Sequence, residues 1–278
     1  MSHHDHQAAD HPFHLVNPSP LPFASSMSLL AVTVGAALFF HDHGNVGVPL
    51  FIAGILGVLS CMFFWWREVI REGIRDHAHT PAVQHGLRFG MALFITSEVM
   101  FFVAFFWAFI SAAVMPKIFL SDTWDVLQAY NIWPPANIKT FDPFDIPFIN
   151  TLILLLSGTT VTWAHHAIIH GDRQNAIKAL ALTVFLGFSF TCLQAYEYHH
   201  AHFGFTDGVY ASAFFMATGF HGAHVIIGTI FLTVMLIRSI RGTLTPNGHL
   251  GFEFAAWYWH FVDVVWLFLF VTIYWWGS

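Results

Sequence analysis

Charge is what this sequence has least of. Only 9% of its 278 residues are Asp, Glu, Lys or Arg, against roughly 25% in an ordinary soluble domain. With 56% hydrophobic residues beside that scarcity, a water-soluble globule is excluded and an all-α integral membrane protein is expected. Cysteine is almost missing as well. Cys61 and Cys192 lie in apolar runs with no CxxC partner, which excludes a disulfide framework and a thiolate metal motif. A formal charge of -6 leaves no basic surface for nucleic acid. The opening stretch "MSHHDHQAADHPFHLVNPSPLP" has no Lys or Arg ahead of a hydrophobic core. It reads as a retained polar tail over 1–21, broken by proline, rather than a cleavable signal peptide. The histidine-rich residues 1–11 receive no role.

What is present is long apolar runs. A bilayer core about 30 Å thick needs around 20 apolar residues of helix. Such runs fall at 22–40, 47–70, 83–113, 148–170, 175–198, 208–237 and 250–276, which predicts seven transmembrane helices and no internal repeat. The parts are a two-helix segment at 22–73 and a further five helices within 83–278. The break at 114–147 holds five prolines and four aspartates and is expected to be a surface loop, not helical throughout. Basic residues are retained on the cytoplasmic side. Arg67, Arg71, Arg75, Arg88, Arg173, Lys178, Arg238 and Arg241 all fall in even-numbered connections, while Lys117 and Lys139 share the long loop with acids. The N-terminus is therefore expected inside and the C-terminus outside.

That topology assigns depths. In "WYWHFVDVVW", His260 falls about 17 Å into the last span, near the midplane, and Asp263 follows on the same helical face. His221 and His224 in "GFHGAHVIIG" fall mid-way in the sixth span, and Glu98 in "FITSEVMFFVAFFW" mid-way in the third. Elsewhere the acids fall at span edges and in loops. Ionisable groups at mid-depth face the bundle interior, pair, or stay neutral. Two readings stand open on the residues alone. One is a metal site, with His-x-x-His, His-x-x-Asp and a glutamate converging from facing helices. The other is a mutually satisfied hydrogen-bond network that fixes helix packing. The i, i+3 spacing arises readily by chance and does not decide between them.

The remaining histidines, in "WAHHAIIHG" and "YEYHHAH", sit toward span ends, where bonding to water or headgroups accounts for them. On the inner side, the arginines with Trp65, Trp66, Glu72 and His79 can mark orientation alone or hold a phospholipid headgroup. His77, His79 and His85 sit where protons would be collected from the inner side, since imidazole titrates near physiological pH.

The stretches "WYWHFVDVVWLFLFVTIYWWGS", "FHGAHVIIGTIFL", "WAHHAI", "SEVMFFVAFFWAF", "FFWWREVIREG" and "HLVNPSPLP" together resemble subunit III of cytochrome c oxidase, of the haem-copper oxidase family. The resemblance runs from His14 to Ser278. Two spans ahead of the last five favour the cytochrome c branch over the quinol oxidases, whose similar subunit typically has five spans. The resemblance implies a chain with no catalytic residue, metal or redox centre of its own, haem a and copper being held by partner subunits. It implies two N-terminal helices separated from a five-helix bundle by a cleft that holds phospholipid, with lipid contacts at Trp65, Trp66, Glu72, His79 and Arg238. It further implies an intramembrane carboxylate at Glu98, with His221, His224, His260 and Asp263 as network members. The implied partners are oxidase subunit I as the main contact, subunit II, membrane phospholipids, and cytochrome c as substrate of the complex. The implied work is aerobic respiratory electron transport with proton pumping, in a bacterial plasma membrane or a mitochondrial inner membrane. A free-standing membrane metalloenzyme and a histidine-based proton carrier are the alternatives from other classes.

Overall fold

The computed structural model describes residues 18–74, 78–114, 133–135, 138–246 and 248–278. His77, Arg75, Lys117 and most of the 114–147 break, for which the sequence raises expectations, lie outside the described residues. Among those described, the regular structure is entirely helical. Its elements are α1 (Leu21–Phe40), α2 (Gly44–Ile74), α3 (Pro81–Val114), α4 (Ile146–Ile169), α5 (Arg173–His199), α6 (Val209–Ile240) and α7 (Leu250–Leu269), the last running on into a π-helical turn, Phe270–Trp275. All seven are long and apolar enough to cross a membrane. In lipid the backbone must satisfy itself, which is why apolar runs of this length resolve to helix. Several extend beyond the apolar run: α2 carries Arg67 and Arg71, and α6 continues to Ile240.

The helix ends follow from local chemistry. Gly171 and Gly242 adopt φ of +74° and +72°, the left-handed step that closes a helix C-terminus and that glycine takes without strain. Asp172 caps α5, its Oδ1 accepting from the Asn175 N–H at 3.1 Å. That bond and the Asn175 side chain hold the Asp172 carboxyl below the usual carboxylate range. Arg173 donates to the carbonyls of Ser239 and Ile240, tying the start of α5 to the end of α6.

The chain divides into two compact units, Met1–Leu87 and Arg88–Ser278, with the boundary inside α3. In the first, α1 and α2 pack along their length on glycine. A Cβ added at Gly35 would lie 2.5 Å from the backbone N of Phe51, and one at Gly54 would lie 2.6 Å from that of Val32. Small residues of this kind let helix backbones approach where lipid offers no hydrophobic drive.

In the second unit α7 is the central element. Trp259 is fully buried. Its ring lies against Gly187 of α5 and Gly228 of α6, where an added Cβ would meet it at 2.7 and 2.8 Å, and its indole N–H donates to Ser157 Oγ of α4 at 2.9 Å. Two turns on, Trp266 donates to Thr151 Oγ1 of α4 at 2.9 Å. Thr160 and Thr183 bond across α4 and α5 at 2.8 Å. Gln194 and Tyr198 of α5 donate to Thr218 of α6 at 3.1 and 2.6 Å.

Candidate functional site

Glu98 lies halfway along α3, and its Oε2 is 2.9 Å from His224 Nε2 on α6. The other ring nitrogen of His224 contacts the Phe220 carbonyl at 2.6 Å. A carbonyl only accepts, so Nδ1 carries a proton, and the Nε2–Oε2 contact holds a single further proton shared by the two groups. Glutamic acid donating to imidazole and imidazolium donating to carboxylate are both neutral as a pair. Phe102 meets the His224 ring edge-on at 5.0 Å, and Tyr258 of α7 stacks on it at 6.3 Å. The pair is thus enclosed by aromatic faces from α3 and α7.

The other mid-span groups take different partners among the described residues. His221 is fully buried and donates from Nε2 to the Val262 carbonyl of α7 at 3.1 Å. Its Nδ1 is buried without a partner among the described residues. His260 instead points to the exposed side of α7 and reaches Thr162 Oγ1 of α4 at 3.3 Å. Asp263 is 8% exposed and packs over Gly158 of α4, where an added Cβ would lie 2.5 Å from its Oδ2. Its Oδ1 has no hydrogen-bond partner among the described residues.

Several cross-helix contacts of ionisable groups escape sequence reasoning. Arg88 of α3 grips Glu253 of α7 with Nε and Nη2, both at 2.9 Å, in a fork geometry. The signal was available, since Arg88 and Glu253 both stand at the basic end of their spans and match in depth. Tyr274 donates to Glu197 Oε1 at 2.6 Å, and Glu197 is 2% exposed. An acid at the edge of a span reads as interfacial, and nothing in "YEYHHAH" marks it as buried. His165 makes a ring contact and no bond among the described residues. Its ring lies 5.8 Å from that of His249, within electrostatic reach of Glu253 and His260.

Of the residues implied as lipid contacts, Trp65 and Trp66 are 41% and 58% exposed on α2. His79 packs over Gly73, where an added Cβ would meet its Nδ1 at 2.7 Å. Glu72 is half-buried on α2, and His85 is exposed on α3. In the second unit, Arg238 contacts Met235 Sδ at 3.9 Å through Nη1, and its Nε is buried without a partner among the described residues.

Among the described residues no three His, Cys, Asp or Glu side chains converge into a group that could hold a metal ion. The side-chain contacts described within the spans are hydrogen bonds between helices, which many membrane proteins use, and by themselves they name no family. Comparison with known proteins does. Residues 11–278 match the family described as cytochrome c oxidase subunit III. The chain is 57% identical over 270 residues to a probable cytochrome c oxidase subunit 3 of Rickettsia bellii, covering 96% of each. It is 54% identical over 273 residues to the cytochrome c oxidase subunit 3 of the goldfish Carassius auratus, covering 98% of this chain and 99% of that one, and equally to that of the cod Gadus morhua. Seven spans and a match along nearly the full length agree: this membrane protein belongs to the cytochrome c oxidase subunit III family.

Proposed function

We propose that this chain is the non-redox third subunit of an aa3-type cytochrome c oxidase, a complex that reduces oxygen and pumps protons. Haem a and copper belong to partner subunits in this reading. The chain packs against subunit I as its main contact, lies near subunit II, and keeps the proton-uptake side of the complex active through many turnovers. Trp65, Trp66, Glu72 and His79 in the first unit, and Arg238 in the second, contact phospholipid headgroups. His77, His79 and His85 collect protons, and the basic ends of the spans face the bacterial cytoplasm. The observation that carries the scaffold role is how the ionisable groups within the spans are committed. Glu98, Glu197, Glu253, His221 and His260 each bond to a neighbouring helix, as groups that fix packing do.

The test is purification of the complex in a mild detergent, with and without this chain. The chain is expected to co-purify with a subunit carrying haem a and copper. Oxidase stripped of it is expected to start at a normal rate and to lose activity after fewer turnovers. An isolated chain that carries about one redox metal per molecule and shows its own oxidase activity overturns the proposal.

A further inference from the structure

Three buried side chains of the second unit carry polar atoms that nothing satisfies among the described residues. Asn150, early in α4, is fully buried, and neither its amide nitrogen nor its amide oxygen has a partner there. Glu197, in the last turn of α5, holds Tyr274 on one oxygen and leaves Oε2 buried and unbonded. His221, midway along α6, gives Nε2 to the Val262 carbonyl and leaves Nδ1 unbonded. Trp266 of α7 relates the three. Its ring lies 5.1 Å from that of His221 and 5.7 Å from that of Tyr274, the phenol on Glu197. Its N–H reaches Thr151, the residue after Asn150.

No protonation state or amide flip supplies the missing partners. Exchanging the oxygen and nitrogen of Asn150 swaps one unbonded group for another. An ionised Glu197 accepts at both oxygens and needs a donor at Oε2. A neutral Glu197 with its proton on Oε2 needs an acceptor there instead. With the proton on Oε1 and given to Tyr274, Oε2 still lacks a donor and the Tyr274 O–H loses its acceptor. His221 Nδ1 accepts when the ring is neutral and donates when it is charged. Buried polar groups left dry are costly, and they are met by protein or by ordered water. The occupant must therefore both donate and accept. A metal ion finds no three ligands among the described residues, an anion would sit beside a carboxyl, and hydrocarbon makes no hydrogen bonds. Water does both, typically with about three bonds to otherwise unsatisfied buried groups.

We propose that the second unit binds internal water around Trp266, bonded to the Asn150 amide, Glu197 Oε2 and His221 Nδ1. The water joins α4, α5, α6 and α7 between mid-span and the Glu197 end of the bundle, where Trp266 and Tyr274 already join them directly. The site is built from this chain's own helices and does not depend on the chain's role in an oxidase.

The test is radiolytic hydroxyl-radical footprinting of the full chain, purified in mild detergent with the subunits that accompany it. Water bound beside a side chain yields radicals in place, so buried residues next to it are oxidised. With each residue normalised to its rate in the unfolded chain, Trp266 and Tyr274 are expected to be labelled several-fold faster than Leu180 and Leu232, which are as fully buried in the other half of the bundle. Asn150→Leu replaces the amide by an apolar group of similar volume and is expected to cut the label at Trp266 several-fold. Asn150→Ser, short and polar, is expected to keep it. In SDS-titrated unfolding, Asn150→Leu is expected to raise the unfolding equilibrium constant on the order of tenfold, because bound water loses its anchor. In a dry core the same change removes a desolvated amide and makes the chain harder to unfold. That result overturns the site, as does labelling of Trp266 and Tyr274 at the level of the two leucines in the unmodified protein.

Discussion

In the first unit α1 and α2 meet backbone to backbone, with Gly35, Gly47 and Gly54 at the contact and each added Cβ falling 2.5–2.6 Å from a backbone nitrogen. In the second unit side chains span the gaps: two indoles to hydroxyls, a tyrosine and a histidine to carboxyls, an arginine to a glutamate. Both answer one physical problem, since lipid is as apolar as leucine and supplies no drive for helices to associate. Close approach multiplies weak dispersion contacts and depends on the absence of a side chain. Bridging concentrates the interaction in a few atoms, each of which averages only about 0.6 kcal/mol in membranes. The first arrangement should therefore fail abruptly at one position, and the second should erode bond by bond.

The largest effect is expected where a side chain is forced between backbones. Gly54→Leu would drive atoms into Val32 N and Cγ2, and the cost is about 3 kcal/mol, at the upper end for overpacking, because backbone cannot rotate away. SDS-titrated unfolding in mixed micelles should show it, and a disulfide engineered between α1 and α2 should form more slowly. Gly90→Ala is the counter-test: among the described residues, and beyond its chain neighbours and its own helix backbone, no heavy atom lies within 4 Å of its added Cβ, so the isolated chain should be unchanged or gain up to about 1 kcal/mol from helix propensity. Equal destabilisation by the two would remove the distinction between the units.

Next comes the Glu98–His224 pair. Glu98→Ala orphans His224 Nε2 in an aromatic enclosure and should cost about 1–3 kcal/mol. Glu98→Gln should cost little, because an amide N–H donates to the same nitrogen while the Phe220 carbonyl keeps the tautomer fixed. Assembly of the complex and oxygen-reduction rate should follow the same order. If Gln stops turnover while the complex stays whole, the proton of the pair is used, and the pair is more than a tie.

Smaller again is Ser157→Ala, which leaves the Trp259 indole N–H without its acceptor. The ring remains held against Gly187 and Gly228, so a loss of about 1 kcal/mol is expected in the same titration. A loss matching Gly54→Leu would show that a single bridge governs the second unit as close approach governs the first.

The apolar runs made the seven spans legible, and their ends were not, because Arg67, Arg71 and Arg238 lie inside helices that outlast the hydrocarbon. Long basic side chains reach the interface along the helix, so a charge marks depth without ending the element. Depth was readable too: counting residues placed Glu98 and His224 at one level. Facing was not. Helices apolar on every side give no periodic signal, so His221 of α6, buried against Val262, and His260 of α7, turned outward beside α4, looked alike. The packing at Gly158 depends on which atoms converge there, and no spacing in "LLSGTTVTW" encodes that Asp263 lies above it.

The smallest expected effect is at Asp172, outside the spans, where the comparison has its control in ordinary aqueous capping. Its carboxylate accepts from the Asn175 backbone and from the Asn175 amide at 2.6 Å, and these bonds depress its pKa. A carboxylate with a folded pKa below its unfolded value stabilises the fold above the unfolded value, near 3.9, and the contribution is lost as pH falls through the folded value. Asn is as good an N-cap as Asp, so Asp172→Asn should keep the cap and lose only the interaction of the charge with the α5 N-terminus. At pH 7 the variant should therefore be slightly the less stable, by less than Ser157→Ala and less still in high salt, which screens an exposed charge. Below the depressed pKa the two proteins should unfold together. A gap that persists in acid would mean that the amide changes the cap geometry itself, and that the end of α5 bears on the bundle as its mid-span bridges do.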